Sequence, residues 1–138
     1  MIIWGGLNSN IEYNTGAKFN LNKNEWSSIS TLNAPTKRVN HSTIWTGQKM
    51  IVWGGIFDDT YLNSGGIYDS DADTWLNTST EFAPLKRRDH SAIWTGDKMI
   101  IWGGITVVPP EFHFLNSMGI YIPNNEPFVD LIFTNNFE

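Results

Sequence analysis

An apolar run that closes on a tryptophan and two glycines occurs three times along the chain. The copies are Met1-Ile2-Ile3-Trp4-Gly5-Gly6, Met50-Ile51-Val52-Trp53-Gly54-Gly55 and Met99-Ile100-Ile101-Trp102-Gly103-Gly104. A nearly unbroken apolar run of this length predicts a strand covered on both faces, and the glycine pair after it suits a close backbone approach or a positive φ. In the second copy a Ser- and Thr-rich, β-branched segment, residues 41–46, precedes the run, and Gly47-Gln48 separates the two. Gly96-Asp97 repeats this in the third copy. Such a pair between two strand-like segments predicts a two-residue hairpin. A third strand is expected over 65–69, followed by a polar turn and a fourth strand from about Trp75. We label the four strands a, b, c and d; the signals throughout are those of strands and not of helices.

The recurrence has a fixed period of 49 residues. Between 35–56 and 84–105 this offset gives 16 identities in 22 positions, among them Pro35/Pro84, Arg38/Arg87, His41/His90 and Ser42/Ser91. Gly16/Gly65, Phe19/Tyr68, Asn20/Asp69 and Trp26/Trp75 keep the same offset, while the third copy reaches Gly119 and Tyr121 after an insertion of four residues. All seven tryptophans fall on repeat positions. Burying one removes about 150–250 Å² from water, worth roughly 4–6 kcal/mol, so the tryptophans are expected to form the repeat cores and not a ligand cage.

A double glycine after an apolar strand, then an aromatic residue followed by Asp or Asn, then Trp six or seven residues later, resembles the Kelch repeat. The period also suits Kelch, at about 50, better than WD-type repeats at about 40–45. The resemblance runs from Met1 to about Tyr121 and implies an all-β fold of Kelch-type β-propeller blades, each a four-stranded antiparallel sheet. It implies one domain over 1–138, with blade 1 at about 1–34, blade 2 at 35–83, blade 3 at 84–127 and a C-terminal tail strand at 128–138. Blade 1 starts at strand b, so its strand a is missing, and no Trp follows Tyr121 in blade 3. The tail has two readings: residues 128–133 are strand d of blade 3, or residues 130–136, laid under 91–97, supply a missing strand a. Three blades form an incomplete ring, since propellers close with about four to eight. Either the chain is a piece of a longer propeller, or copies associate into a homo-oligomer, with a dimer giving six blades.

Composition narrows the partners. Nine Lys and Arg against 14 Asp and Glu give a net charge of −5, which argues against nucleic acid. The chain has no cysteine, excluding disulfides, thiolate nucleophiles and Cys-ligated metals. No membrane span or signal peptide is legible in this sequence, and the compartment stays open.

In an antiparallel meander the a–b and c–d turns share one rim, and the longer connections, about 7–15, 31–40, 56–64, 80–89 and 105–117, share the other. Binding residues are expected on that second rim. Phe57, Asp58, Asp59 and Tyr61 put two carboxylates beside aromatic rings, a pairing suited to a sugar or a cation. Arg88, in the basic run 86–88, suits an acidic ligand. Glu111, Phe112, His113 and Phe114 belong to the inserted loop, outside the repeat pattern, and are therefore free for recognition, or Phe112 and Phe114 fold down over a blade edge. Arg38 and Arg87 repeat, and are expected to hold loops or neighbouring blades; His41 and His90 are expected as buried strand histidines. The series Asp69, Asp71, Asp73 resembles the opening of a calcium loop, but Thr74 and Thr80 stand where Gly and Glu are needed, so an Asx-rich turn is expected and no metal.

The expected function is a non-enzymatic binding or scaffolding module whose protein or carbohydrate ligand is not legible, with no cofactor. The alternatives are part of a sugar-processing propeller enzyme, with Asp58, Glu111 and His113 as acid–base candidates, or an inactive fragment of a larger Kelch protein. Copper radical oxidases of this fold need a cysteine, which this chain lacks.

Overall fold

The Trp-Gly-Gly runs form the second strand of the sheets in the second and third repeats and the edge strand of a three-stranded sheet in the first. In the computed structural model, which describes residues 1–123 and 129–131, the first repeat comprises β1 (Ile2–Trp4), β2 (Leu7–Asn8), β3 (Ile11–Glu12), β4 (Gly16–Asn20) and β5 (Glu25–Ser28). The second comprises β6 (Ser42–Trp45), β7 (Lys49–Trp53), β8 (Ile56–Phe57), β9 (Thr60–Tyr61), β10 (Gly65–Asp69) and β11 (Thr74–Asn77). The third comprises β12 (Ser91–Trp94), β13 (Met99–Trp102), β14 (Ile105–Val108), β15 (Glu111–Phe114), β16 (Met118–Tyr121) and β17 (Val129–Leu131). The sheets run β1-β4-β5, β6-β7-β10-β11 and β12-β13-β16-β17, so three blades of the propeller type follow one another.

Register is shared between blades. Ile51 lies opposite both Ile44 and Ile67, and Ile100 opposite both Ile93 and Ile120. Because successive side chains alternate faces, Met50 and Val52 point toward blade 1 while Ile51 and Trp53 point toward blade 3. Two cores result. Trp4 and Ile29 pack with Met50, Val52, Tyr68 and Trp75, and Ile44, Ile51, Trp53 and Ile67 pack with Met99, Ile101 and Tyr121.

The segment before each strand a is a strap that ties its own blade to the previous one. Arg38 donates its backbone N–H to Tyr13 O and accepts at its carbonyl from Gly6 N, both in blade 1. Its guanidinium reaches the other way, donating to Gly54 O at 2.9 Å and Ser64 O at 2.6 Å in blade 2. Arg87 repeats this, with its backbone on Gly55 and Leu62 and its side chain on Gly103 O, Ser117 O and Ser117 Oγ. The repeated arginines thus join neighbouring blades, as their repetition implied. Glycine is required where the strap lands: Gly54 has φ +68°, and a Cβ there would stand 2.6 Å from the His90 ring.

Several expectations need correction. Strand a begins at Ser42 and Ser91, so His41 and His90 sit just before it, at the end of the strap. The long connections 7–15, 56–64 and 105–117 are not open loops, since each carries a two-stranded hairpin: β2–β3, β8–β9 and β14–β15. The tryptophans are not all core. Trp4, Trp53 and Trp75 are buried, but Trp26 and Trp102 are 49% and 45% exposed because each lies on the outward face of a terminal blade; Trp45 is also exposed. Of the tail, Val129–Leu131 pairs with β16 as the outermost strand of blade 3, Val129 opposite Ile120. Asp130 and Leu131 therefore take the strand d position of blade 3 and do not supply a missing strand a. Phe128 and residues 132–138 lie outside the described residues.

Candidate functional site

The three hairpins join strand b to strand c and project from one rim. In β8–β9, Phe57 pairs with Thr60, leaving Asp58 and Asp59 as a two-residue turn with φ +47° and +57°. Both central residues in the left-handed region make this a type I′ turn, the form that matches strand twist, and Asp tolerates that conformation better than most residues. The two carboxylates are thus corner residues of a tight turn. The Asp58 N–H lies 3.5 Å from the Glu12 carboxylate of the neighbouring hairpin, and the Lys37 ammonium sits 4.9 Å from the Phe57 ring centroid. Glu12 was not singled out by sequence, because a contact between hairpins of different repeats leaves no trace within either.

Tyr61 and Arg88 are brought together. Tyr61 is buried, its hydroxyl accepts from Arg88 Nε at 2.9 Å, and the guanidinium lies 5.5 Å over the ring. Arg88 also approaches the Asp89 carboxylate at 3.4 Å, and its backbone pairs with Ile105. Their contacts thus join the blade 2 hairpin to blade 3.

The third hairpin differs. Val108 pairs with Glu111 across Pro109-Pro110, whose mutual peptide bond is cis. Ile105, Val107, Phe112 and Phe114 share one face by the pairings Ile105↔Phe114 and Val107↔Phe112, while Thr106 and His113 share the other. Glu111, Phe112, His113 and Phe114 are all exposed, Phe112 at 65% and Phe114 at 85%. The two rings stand off the surface instead of folding over a blade edge.

The strap histidines have a different chemistry. His41 meets Trp4 edge to face at 5.4 Å between ring centroids, and His90 meets Trp53 in the same way at 5.2 Å. His90 Nε2 lies 2.8 Å from Ser42 Oγ, a serine–histidine pair built across two repeats and not from the adjacent His41-Ser42 that the sequence displays. Burial, helped by the Arg38 and Arg87 charges, pushes each histidine down to about 4. A base that weak carries little proton-abstracting power at neutral pH, so the pair works as a structural bond.

The polar turn of blade 2 is an Asx turn. Asp69 Oδ1 accepts from Asp71 N and Ala72 N, as Asn20 Oδ1 does from Asn22 N and Lys23 N. These bonds hold the Asp69 carboxyl below its ordinary range. Asp73 accepts from Tyr68 Oη at 2.6 Å and from Ser30 N at 2.9 Å, and so links blade 2 to the blade 1 exit. A cavity of about 810 Å³ opens between blades 1 and 2, walled by Met1, Ile2, Phe19, Trp45 and Met50 with Lys18 and Asp71 at its polar edge. No single repeat contains it, so the sequence could not show it.

A family model described as the KLHDC2/KLHL20/DRC7 Kelch-repeats domain matches residues 1–129. No curated protein matches the chain.

Proposed function

The chain belongs to the Kelch-repeat family, whose domains serve in general as protein-interaction and scaffolding modules, and on that premise we propose that it binds its partner through the hairpin rim. One observation carries the reading: β15 presents Phe112 and Phe114 on one apolar hairpin face, with Glu111 and His113 on the other. Large exposed aromatic side chains on a rigid two-stranded support lose little conformational freedom on binding, which is the property of an interface anchor. Phe57 under Lys37 continues the rim in blade 2. Peptides selected from a displayed random library, and a panel of oligosaccharides, test this by calorimetric titration. Replacing both rings (F112S and F114S together) is expected to weaken any ligand found by at least about 10-fold with no change in Tm. Undiminished binding by that variant overturns the rim reading.

The same proposal includes self-association. The outward face of blade 1 carries Ile3 and Trp26, and that of blade 3 carries Ile93 and Trp102, all about half exposed. Their repeat equivalents are Val52 and Trp75 on one type of face, and Ile44 and Trp53 on the other. Those two types pack together at both interior junctions of the chain. A head-to-tail pair satisfies both ends at once and closes six blades. Light scattering should return twice the 15.7 kDa chain mass. A monomer at every concentration sinks this part of the proposal.

A further inference from the structure

We propose that a cavity between the strap of blade 2 and the end of its last strand is a binding site for a small inorganic oxyanion of the phosphate or sulfate class. It shares no residue with the hairpin face described above and stands apart from the rim reading.

The cavity, about 400 Å³, is enclosed by three segments of the second repeat: the strap from Ala34 to Arg38, Ser64 and Gly65 where β10 begins, and Asn77, Thr78 and Thr80 from the end of β11. Arg38, Gly65 and Thr78 are buried and form its floor, while Thr36, Asn77 and Thr80 are exposed at its mouth. No Asp or Glu is among the described residues that line it, so its one formal charge is that of Arg38.

Arg38 is only 1% exposed, yet every acceptor it meets among the described residues is neutral: Thr36 O, Gly54 O, Ser64 O and Ser64 Oγ. No described carboxylate forms an ion pair with it, and burial with no acid to offset it lowers its pKa to about 10. A guanidinium has five N–H groups to satisfy. The contact from Nη2 to Ser64 Oγ is 3.5 Å long, against 2.9 Å for the corresponding contact of Arg87 with Ser117, so the Nη2 edge of Arg38 keeps donor capacity. A buried charge without a counter-ion is costly, and an anion on that edge relieves the cost.

Thr78 is a second and independent sign. Its N–H donates to Gly65 O as the Ile29 N–H donates to Gly16 O, so Ile29 and Thr78 occupy one position of the repeat. Blade 1 fills that position with a buried isoleucine. Blade 2 places there a threonine that is 5% exposed and whose hydroxyl has no partner among the described residues. An unpaired buried hydroxyl costs stability that isoleucine would not. An oxyanion accepts from both the Thr78 hydroxyl and the Arg38 guanidinium, and charge-assisted bonds of this kind are the strong ones. A cation finds no carboxylate here. The buried floor suits a free ion, which enters whole, and not a charged side chain that must bring its own main chain to the mouth.

The test titrates the ¹⁵N-labelled chain with sodium phosphate, with sodium chloride at matched ionic strength as the reference. Saturable amide shifts at Ser64, Gly65 and Thr78 are expected in the low-millimolar range, and Tm should rise with phosphate concentration. Sulfate should reproduce both effects and chloride neither. Thr78→Val keeps the side-chain shape without the hydroxyl and leaves Arg38 in place; it should melt no lower than the native chain in the absence of phosphate and bind phosphate about 10-fold more weakly. Thr78→Ser should stay within about 3-fold of the native affinity. Absence of a saturable shift at tens of millimolar phosphate overturns the proposal and leaves the cavity to water. Equal phosphate affinity of Thr78→Val and the native chain, or equal shifts with chloride, overturns it as well.

Discussion

His90 Nε2 and Ser42 Oγ, 2.8 Å apart, form a hydrogen bond between the end of one strap and the first strand of the preceding blade. Burial favours the neutral form of the His90 imidazole, packed edge-on against Trp53, and His41 is held the same way on Trp4.

Acid should therefore loosen the blades. Both histidines titrate near 4 in the folded chain against about 6.5 when unfolded, so between these values the unfolded state binds more protons. Stability is complete above about pH 6.5, falls as the pH drops through the window to 4, and stops falling from this source below it. Allowing for their partial exposure, each histidine contributes about 2 kcal/mol of that loss. Urea midpoints measured from pH 7.5 to 4 should show the slope, and H41Q with H90Q should flatten it.

Arg38 is predicted to be intolerant of lysine. Its guanidinium serves Thr36 O, Gly54 O and Ser64 O from a fully buried position, and burial lowers its pKa to about 10. Arg38→Ala leaves buried carbonyls without donors and should cost about 3 kcal/mol in chemical denaturation. Arg38→Lys should recover less than half of it, because a point ammonium cannot span the three acceptors.

The turn at Asp58-Asp59 should accept Asn-Gly with a gain. Both residues hold positive φ in a type I′ geometry, for which Asn-Gly is the preferred pair. A rise of about 0.5–1 kcal/mol is expected from thermal unfolding. A ligand that contacts these carboxylates would instead lose affinity, which the same variant reports.

Trp75 and Trp26 occupy one repeat position with opposite surroundings. Trp75 is buried and its Nε1 donates to Ser30 O at 2.9 Å, whereas Trp26 is half exposed against Phe19. Trp75→Phe should cost about 2–3 kcal/mol and Trp26→Phe under about 1 kcal/mol by urea titration of the monomeric or assembled chain at fixed concentration.

The period of 49 made strands b and c legible to the residue, because Lys49–Trp53 and Gly65–Asp69 bury both faces and leave the sequence little freedom. The tandem arginines were legible as structural for the same reason. The hairpins were not, since Leu7–Asn8 and Ile56–Phe57 are two-residue strands, too short to show any alternation of their own. Nor was the Tyr61–Arg88 joint, whose partners lie 27 residues apart and repeat in neither copy. Among the candidate binding residues, the departure of Phe112 and Phe114 from the repeat left both an exposed and a folded-down position open, and the turn geometry of Asp58 and Asp59 became visible only once Phe57 was seen paired with Thr60.

The straps also decide where this protein can be cut and rejoined. Arg38 gives its main chain to one blade and its side chain to the next, so a graft that exchanges whole sheets, with boundaries at Ser42 or Ser91, separates the guanidinium from the carbonyls it was shaped for. A cassette that begins before Pro35 or Pro84 carries the strap together with its own sheet, and its strap main chain and imidazole present to the foreign neighbour a carbonyl, an N–H and a ring edge. Those contacts read little beyond two glycines and a tryptophan, which makes the strap-first segment the interchangeable part of this architecture.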